Sequence, residues 1–174
     1  MIINLIVAAS ENNVIGKENS IPWRLSADLK QFKKLTLNKP IIMGYNTFKS
    51  IPNSPLINRI NVILTRREIK IDECLVFNNI DLCLRSLIEL NFDEVFVIGG
   101  GEIYKQFIDI ADNIYLTRIH KNIDGDKYFP IIDHDKWSKI EELFIDTDIT
   151  VNFNYSFFKY KLNDNKFKHT QNIY

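Results

Sequence analysis

The sequence predicts an α/β fold: a single domain on a central mixed, mostly parallel sheet of about eight strands, with flanking helices and a C-terminal antiparallel hairpin. Three observations predict it. Short apolar runs rich in β-branched residues recur along the chain, as buried strands do. Segments of helical periodicity lie between several of them, which calls for parallel crossovers. From Lys136 to Leu162 the helical spacing stops, and pieces rich in Phe, Tyr, Thr and Val follow one another, the pattern of a hairpin at a sheet edge.

The elements follow in order. Ile2–Ala9 is the first strand, apolar enough to be covered on both faces. A loop follows in which Gly16, Asn19 and Pro22 break the backbone while Val14, Ile15, Ile21 and Trp23 keep it apolar, the composition of a lid. Leu25–Thr36 is a helix with Leu25, Leu29, Phe32 and Leu35 on one stripe. Ile41–Met43 is a strand ending at Gly44, and Tyr45–Ser50 a short helix. Pro52 and Pro55 mark a loop before the strands Asn61–Thr65 and Glu73–Phe77. Asp81–Leu90 is an amphipathic helix, Glu94–Ile98 a strand stopped by three glycines, Glu102–Ile110 a helix and Asn113–Ile119 an alternating strand. The expected domain is 1–162, with 163–174 a polar, frayed tail.

Composition excludes several function classes. The 174 residues carry 22 Lys+Arg and 22 Asp+Glu, so nothing favours a general binder of nucleic acid or of acidic membranes. Cys74 and Cys83 form no CxxC pair, which argues against a disulfide framework and against a metal site. The first ten residues lack a basic leader and read as a strand, and no apolar run reaches membrane-spanning length, so a cytoplasmic protein is expected.

Candidate chemistry lies at strand ends, where α/β sheets bind ligands. Asp28 sits on the apolar stripe of the first helix. It is either a first-turn acid behind a Ser26 cap or a buried acid that waits for a ligand donor. The apolar lid beside it favours the second reading. Gly99-Gly100-Gly101 suits a phosphate approach or simply a tight turn; it lacks the third glycine of a Rossmann fingerprint and the GK[ST] of a P-loop. Gly44-Tyr45-Asn46-Thr47 and Thr65-Arg66 repeat the theme at two further strand ends. Arg59 suits a carboxylate, although a lone arginine is commonly a solvated one. His120, His134 and His169 are scattered without ligand spacing and take no role.

Each of these signals is weak alone. In order and spacing, Val14-Ile15-Gly16, Asn19, Ile21-Pro22-Trp23, Leu25, Asp28-Leu29, Phe32-Lys33, Asn38-Lys39-Pro40, Ile42-Met43-Gly44, Thr47-Phe48, Ser50-Ile51, Arg59, Leu64-Thr65, Val97 to Gly101, Tyr104, Leu116-Thr117 and Gly125-Asp126 together resemble the dihydrofolate reductase family. The resemblance runs from about Met1 to Leu162. It implies that family's fold and an NADPH-dependent reduction of 7,8-dihydrofolate at C6, with a proton added at N5, supplying tetrahydrofolate for one-carbon and thymidylate metabolism. It also implies a monomer that takes dihydrofolate and antifolate-type inhibitors, with no nucleic-acid or membrane partner.

The resemblance assigns the site residues. Asp28, Thr117, Ile21 and Trp23 form the catalytic group: Asp28 bonds the pterin amide N–H and 2-amino group, Thr117 supports it, and Ile21 and Trp23 lie on the lid. Ile6, Val7, Phe32, Lys33, Ile51 and Ile98 accompany them around the substrate, and Arg59 grips its glutamate carboxylate. Ala8, Ile15, Gly16, Asn19, Ile21, Gly44, Tyr45, Asn46, Thr47, Leu64, Thr65, Arg66, Asn78, Ile98, Gly99, Gly100, Gly101, Glu102, Ile103 and Tyr104 hold the cofactor. A cis peptide between Gly99 and Gly100 is expected. Two positions depart from the pattern. Tyr45 and Glu102 stand where many or some members carry a basic residue, leaving Arg66 for the 2′-phosphate with Lys49 or Arg67 in a position to assist. A folate-binding module without catalysis would lack the acid or the lid; here Asp28 and Trp23 both stand.

Overall fold

The structure is a computed structural model that describes residues 1–146 and 151–163. Of the expected tail 163–174, Asn163 is described, and 164–174, His169 included, fall outside the described residues. Eight strands make the main sheet: β1 (Ile2–Ser10), β3 (Pro40–Gly44), β4 (Ile60–Leu64), β5 (Cys74–Phe77), β6 (Glu94–Gly99), β7 (Asn113–Ile119), β9 (Trp137–Ile145) and β10 (Tyr155–Leu162). Their spatial order is β5-β4-β3-β6-β1-β7-β10-β9. Pairings are parallel from β5 through β7, and β10 lies antiparallel between β7 and β9. The mixed sheet and the C-terminal antiparallel pair are those the sequence predicts.

Four helices flank it: α1 (Ser26–Thr36), α2 (Tyr45–Ser50), α3 (Ile80–Glu89) and α4 (Gly101–Phe107). Two details differ from expectation. Ser26 is the first helical residue; Leu25 occupies the cap position, with no side-chain cap bond. Asn79 does cap α3, its Oδ1 accepting from the N–H groups of Asp81 at 2.7 Å and Leu82 at 3.2 Å. The last helix stops at Phe107, short of Ile110.

The lid is also less irregular than its glycines and proline suggest. Within it β2 (Val14–Gly16) pairs antiparallel with β8 (Lys127–Tyr128) in a separate two-stranded sheet. Backbone N–H groups of Lys17 and Ser20 each donate to the other's carbonyl, at 2.8 and 2.9 Å, closing a tight turn before Ile21.

Strand residues alternate between two cores, as a pleated sheet requires. Leu5, Val7, Ile42, Val62, Leu64, Val95 and Val97 face α3 and α4, meeting Cys83, Leu87, Ile103, Tyr104 and Phe107. Ile6, Ile41, Met43, Ile63 and Phe96 face the other way, toward Phe32 and Leu35 of α1 and Tyr45 and Phe48 of α2. Among the described residues no buried side-chain nitrogen or oxygen lacks a hydrogen-bond partner. None of the described helices is long and apolar enough to cross a membrane.

Candidate active site

A single cleft of about 2360 Å³ opens over the C-terminal ends of β1, β3, β4 and β6. Chain order explains its place. The chain runs outward from β1 to β3, β4 and β5, then returns to insert β6 between β3 and β1. The reversal leaves a crevice where ligands of α/β sheets collect.

Asp28 enters this cleft from the first turn of α1. Its Oδ1 accepts a hydrogen bond from Thr117 Oγ1 at 2.6 Å. Thr117 is buried on β7, paired in register with Ala8 of β1. Burial pushes the Asp28 carboxyl above the usual carboxylate range, and the Thr117 bond offsets part of that rise. The remaining lone pairs face the cleft, so the acid has capacity for an N–H donor from a ligand.

Tyr104 borders the same space from α4 and is almost fully buried. Its hydroxyl donates to the Ile6 carbonyl at 2.6 Å, a tie between α4 and β1. Burial, and then the charge of Asp28, hold that phenol well above its ordinary range. It stays a neutral donor.

The strand ends fit a phosphorylated dinucleotide. The Gly99–Gly100 peptide is cis, and Gly99 has φ +112°. A Cβ there would meet the Tyr104 ring at 3.0 Å, and one on Gly101 would meet the Tyr128 carbonyl at 2.9 Å. Both positions therefore need the smallest residue. Gly44, Asn46 and Thr47, then Leu64, Thr65 and Arg66, then Gly100, Gly101 and Glu102 line successive stretches of the cleft. They bring hydroxyls, amides, a guanidinium and bare backbone, the donor set that phosphate oxygens accept from. Ala8, Tyr45, Asn78, Ile98 and Ile103 join them.

The lid closes the other side. Ile15, Gly16, Asn19 and Ile21 line the cleft, with Ile21 62% exposed and free to cover a ligand. The loop is tied to the segment before β8. Lys17 Nζ bonds Asp124 at 2.7 Å, and the Glu18 N–H donates to Asp126 Oδ1 at 3.1 Å.

Ile6, Val7, Phe32, Ile51 and Arg59, expected around the substrate, also line the cleft. Arg59 donates from Nη1 to the Ile57 carbonyl at 2.6 Å and from Nε to Thr36 Oγ1 at 3.4 Å. These bonds aim the fork and leave donors over.

Four expected residues do not line the cleft. Lys33 is exposed and lies one position past Phe32, about 100° around the helix, so it points off the wall. Trp23 borders a second, smaller hollow with Pro22, Arg24, Lys121 and Phe153. Gly99 is buried behind the surface that Gly100 presents. Thr117 reaches the site only through Asp28. Conversely, Leu29, Leu56, Gln106, Lys127 and Tyr128 line the cleft without having been assigned to it, and Arg67, expected to assist Arg66, lines it too. Leu29 was visible as part of the stripe; two-residue β8, with both residues exposed, leaves no periodic signal. Among the described residues no group of His, Cys, Asp and Glu could hold a metal ion.

Comparison with known proteins agrees with this geometry. The family model of dihydrofolate reductase matches residues 2–162. The chain is 42% identical over 137 residues to the dihydrofolate reductase of Haemophilus influenzae, covering 79% of this chain and 84% of that one. It is 43% identical over 161 residues to that of Buchnera aphidicola subsp. Baizongia pistaciae, covering 91% and 96%. A solved structure of dihydrofolate reductase from Enterococcus faecalis, complexed with NADP(H) and RAB-propyl, superposes with a TM-score of 0.86 at 30% identity, over 94% of this chain and 97% of that one. An acid hydrogen-bonded to a threonine at the cleft, a glycine-lined cleft over the strand ends and these matches lead to one conclusion: the chain belongs to the dihydrofolate reductase family.

Proposed function

We propose that this chain reduces 7,8-dihydrofolate to 5,6,7,8-tetrahydrofolate through the residues assembled around Asp28, feeding one-carbon and thymidylate metabolism. The observation that carries the reading is the Asp28 carboxylate, which faces the cleft with Thr117 as its hydrogen-bonding partner. Its ionised form accepts from the pterin amide N–H and 2-amino group, fixing the ring so that one face meets the cofactor. Thr117 keeps the acid in that orientation. Phe32, Ile51 and Ile98 pack the pterin and its aromatic linker, and Arg59 pairs with the glutamate carboxylate. NADPH, when bound, supplies the hydride that reaches C6. Among the described residues no second acid borders the Asp28 end of the wall, so the N5 proton arrives through water. The lid, carrying Ile21, excludes bulk water once both ligands are in place.

The working unit is residues 1–162, acting as a monomer in the cytoplasm, and the same cleft takes antifolate-type inhibitors. The test is loss of nicotinamide absorbance with the purified full chain, dihydrofolate, and NADPH or NADH in parallel. Oxidation that requires dihydrofolate and runs faster with NADPH is expected. Folded protein that binds folate yet oxidises neither cofactor would overturn the reading in favour of a binding module.

A further inference from the structure

Position 45 is where the cofactor wall departs from a basic residue, and the structure shows what the tyrosine does there. Register pairs Gly44 of β3 with Leu64 of β4, so Tyr45 and Thr65 leave the sheet side by side. Tyr45, Thr65, Arg66 and Arg67 all line the cleft. The Arg67 guanidinium carbon lies 5.3 Å from the centroid of the Tyr45 ring. Lys49, one helical turn beyond Tyr45, places its ammonium 5.0 Å from the same ring. The turn bearing Arg67 is fixed where its backbone N–H donates to Thr65 Oγ1 at 3.2 Å. Among the described residues, Lys49, Arg66 and Arg67 enter no ion pair with a carboxylate.

An aromatic face attracts a cation within about 6 Å without neutralising it. Tyr45 therefore gathers two cations while adding no charge of its own. With Arg66 next in the chain to Arg67, three like charges gather around the Tyr45 ring, two of them on the cleft wall, and repel one another. A group carrying close to two negative charges relieves that repulsion, and a phosphate monoester is such a group at neutral pH. A sugar hydroxyl is not.

We infer that Tyr45 is a positioning residue for the cofactor's 2′-phosphate: its ring holds Lys49 and Arg67 beside Arg66, and so sets the preference for NADPH over NADH, an inference that rests on the NADPH reading above. The ring face does the holding, so the hydroxyl is dispensable.

The experiment compares the wild-type chain with Tyr45→Leu and Tyr45→Phe, measuring Kd for NADPH and for NADH at low and high salt. Tyr45→Leu should weaken NADPH about five- to tenfold more than NADH, and flatten the salt dependence of NADPH binding. Tyr45→Phe should retain the wild-type ratio. An unchanged ratio in Tyr45→Leu, equal losses for the two cofactors, or a loss in Tyr45→Phe as large as in Tyr45→Leu would each overturn the role of Tyr45 alone. A wild-type chain that binds both cofactors equally would overturn the NADPH reading itself, and Tyr45 with it.

Discussion

The two faces of the sheet are built from alternate residues of the same strands, yet they end differently. On one, α3 and α4 close over Leu5, Val7, Ile42, Val62, Val95 and Val97, with Leu87 and Phe107 wholly buried. On the other, α1 and α2 stand over Ile6, Ile41, Met43, Ile63 and Phe96 and stop short. Leu29 of α1 remains 53% exposed, and Phe32, Leu35 and Tyr45 are only partly covered. Apolar area left open toward a cleft forgoes roughly 25 cal/mol per Å² of burial. The packed face stabilises the fold; the open face keeps apolar surface and one costly acid in reserve for a ligand.

Substitutions can break or sharpen that contrast. The largest effect is expected on the packed face. Phe107→Ala should lower unfolding free energy by about 3–5 kcal/mol. In urea titration the midpoint falls, while kcat/KM per folded molecule stays put. A kinetic loss without a loss of stability would erase the division between the faces.

Asp28→Asn should do the opposite, cutting kcat/KM about a hundredfold or more by removing charge-assisted bonds to the pterin. It should also raise Tm. The carboxyl's pKa is higher in the folded chain than in the unfolded one, so folding favours the protonated form. The wild type accordingly loses stability as pH rises from the ordinary carboxylate range of about 4 toward neutrality, and the asparagine variant does not. Melting curves across that range decide it: parallel pH profiles for the two proteins would remove the buried-acid penalty.

Arg59→Ala should weaken dihydrofolate about 10- to 100-fold while hardly changing a pterin without the glutamate tail. Equal losses in a binding titration would remove the carboxylate contact. The smallest effect belongs to the exposed Arg66, where alanine should narrow the NADPH-to-NADH affinity ratio about three- to tenfold. A constant ratio would take Arg66 out of the 2′-phosphate corner.

Much of this was legible in the residues. Period-two and period-3.6 patterns carry direct information on burial, so β1, β3 to β7 and α1 to α3 stand within a residue or two of their expected limits, while β9 and β10 were expected only as a hairpin somewhere between Lys136 and Leu162. Asp28 announced itself as a charge on an apolar stripe. The stripe itself was ambiguous, because a helix face turned to a cleft and one turned to a core carry the same residues. Leu29 fits either case. The β2–β8 pairing was not legible: it is short, its partners are more than a hundred residues apart, and β8 is exposed. Lys33 and Trp23 hold their places in the pattern, but periodicity does not say which surface a side chain borders, and neither lines the cleft.

The strand order has a consequence for how the protein is made. β1 finds its neighbours only in β6 and β7: Ile2 waits for Glu94, and Asn4 for Asn113. At about 5–20 residues added per second, the ribosome leaves this first strand without a partner for roughly 5–20 s. During that interval a nearly all-apolar segment with both edges open is at its most adhesive. A central strand of the finished sheet is thus the one the nascent chain leaves unpaired longest, and its synthesis is a stage at which a holding chaperone has something to protect.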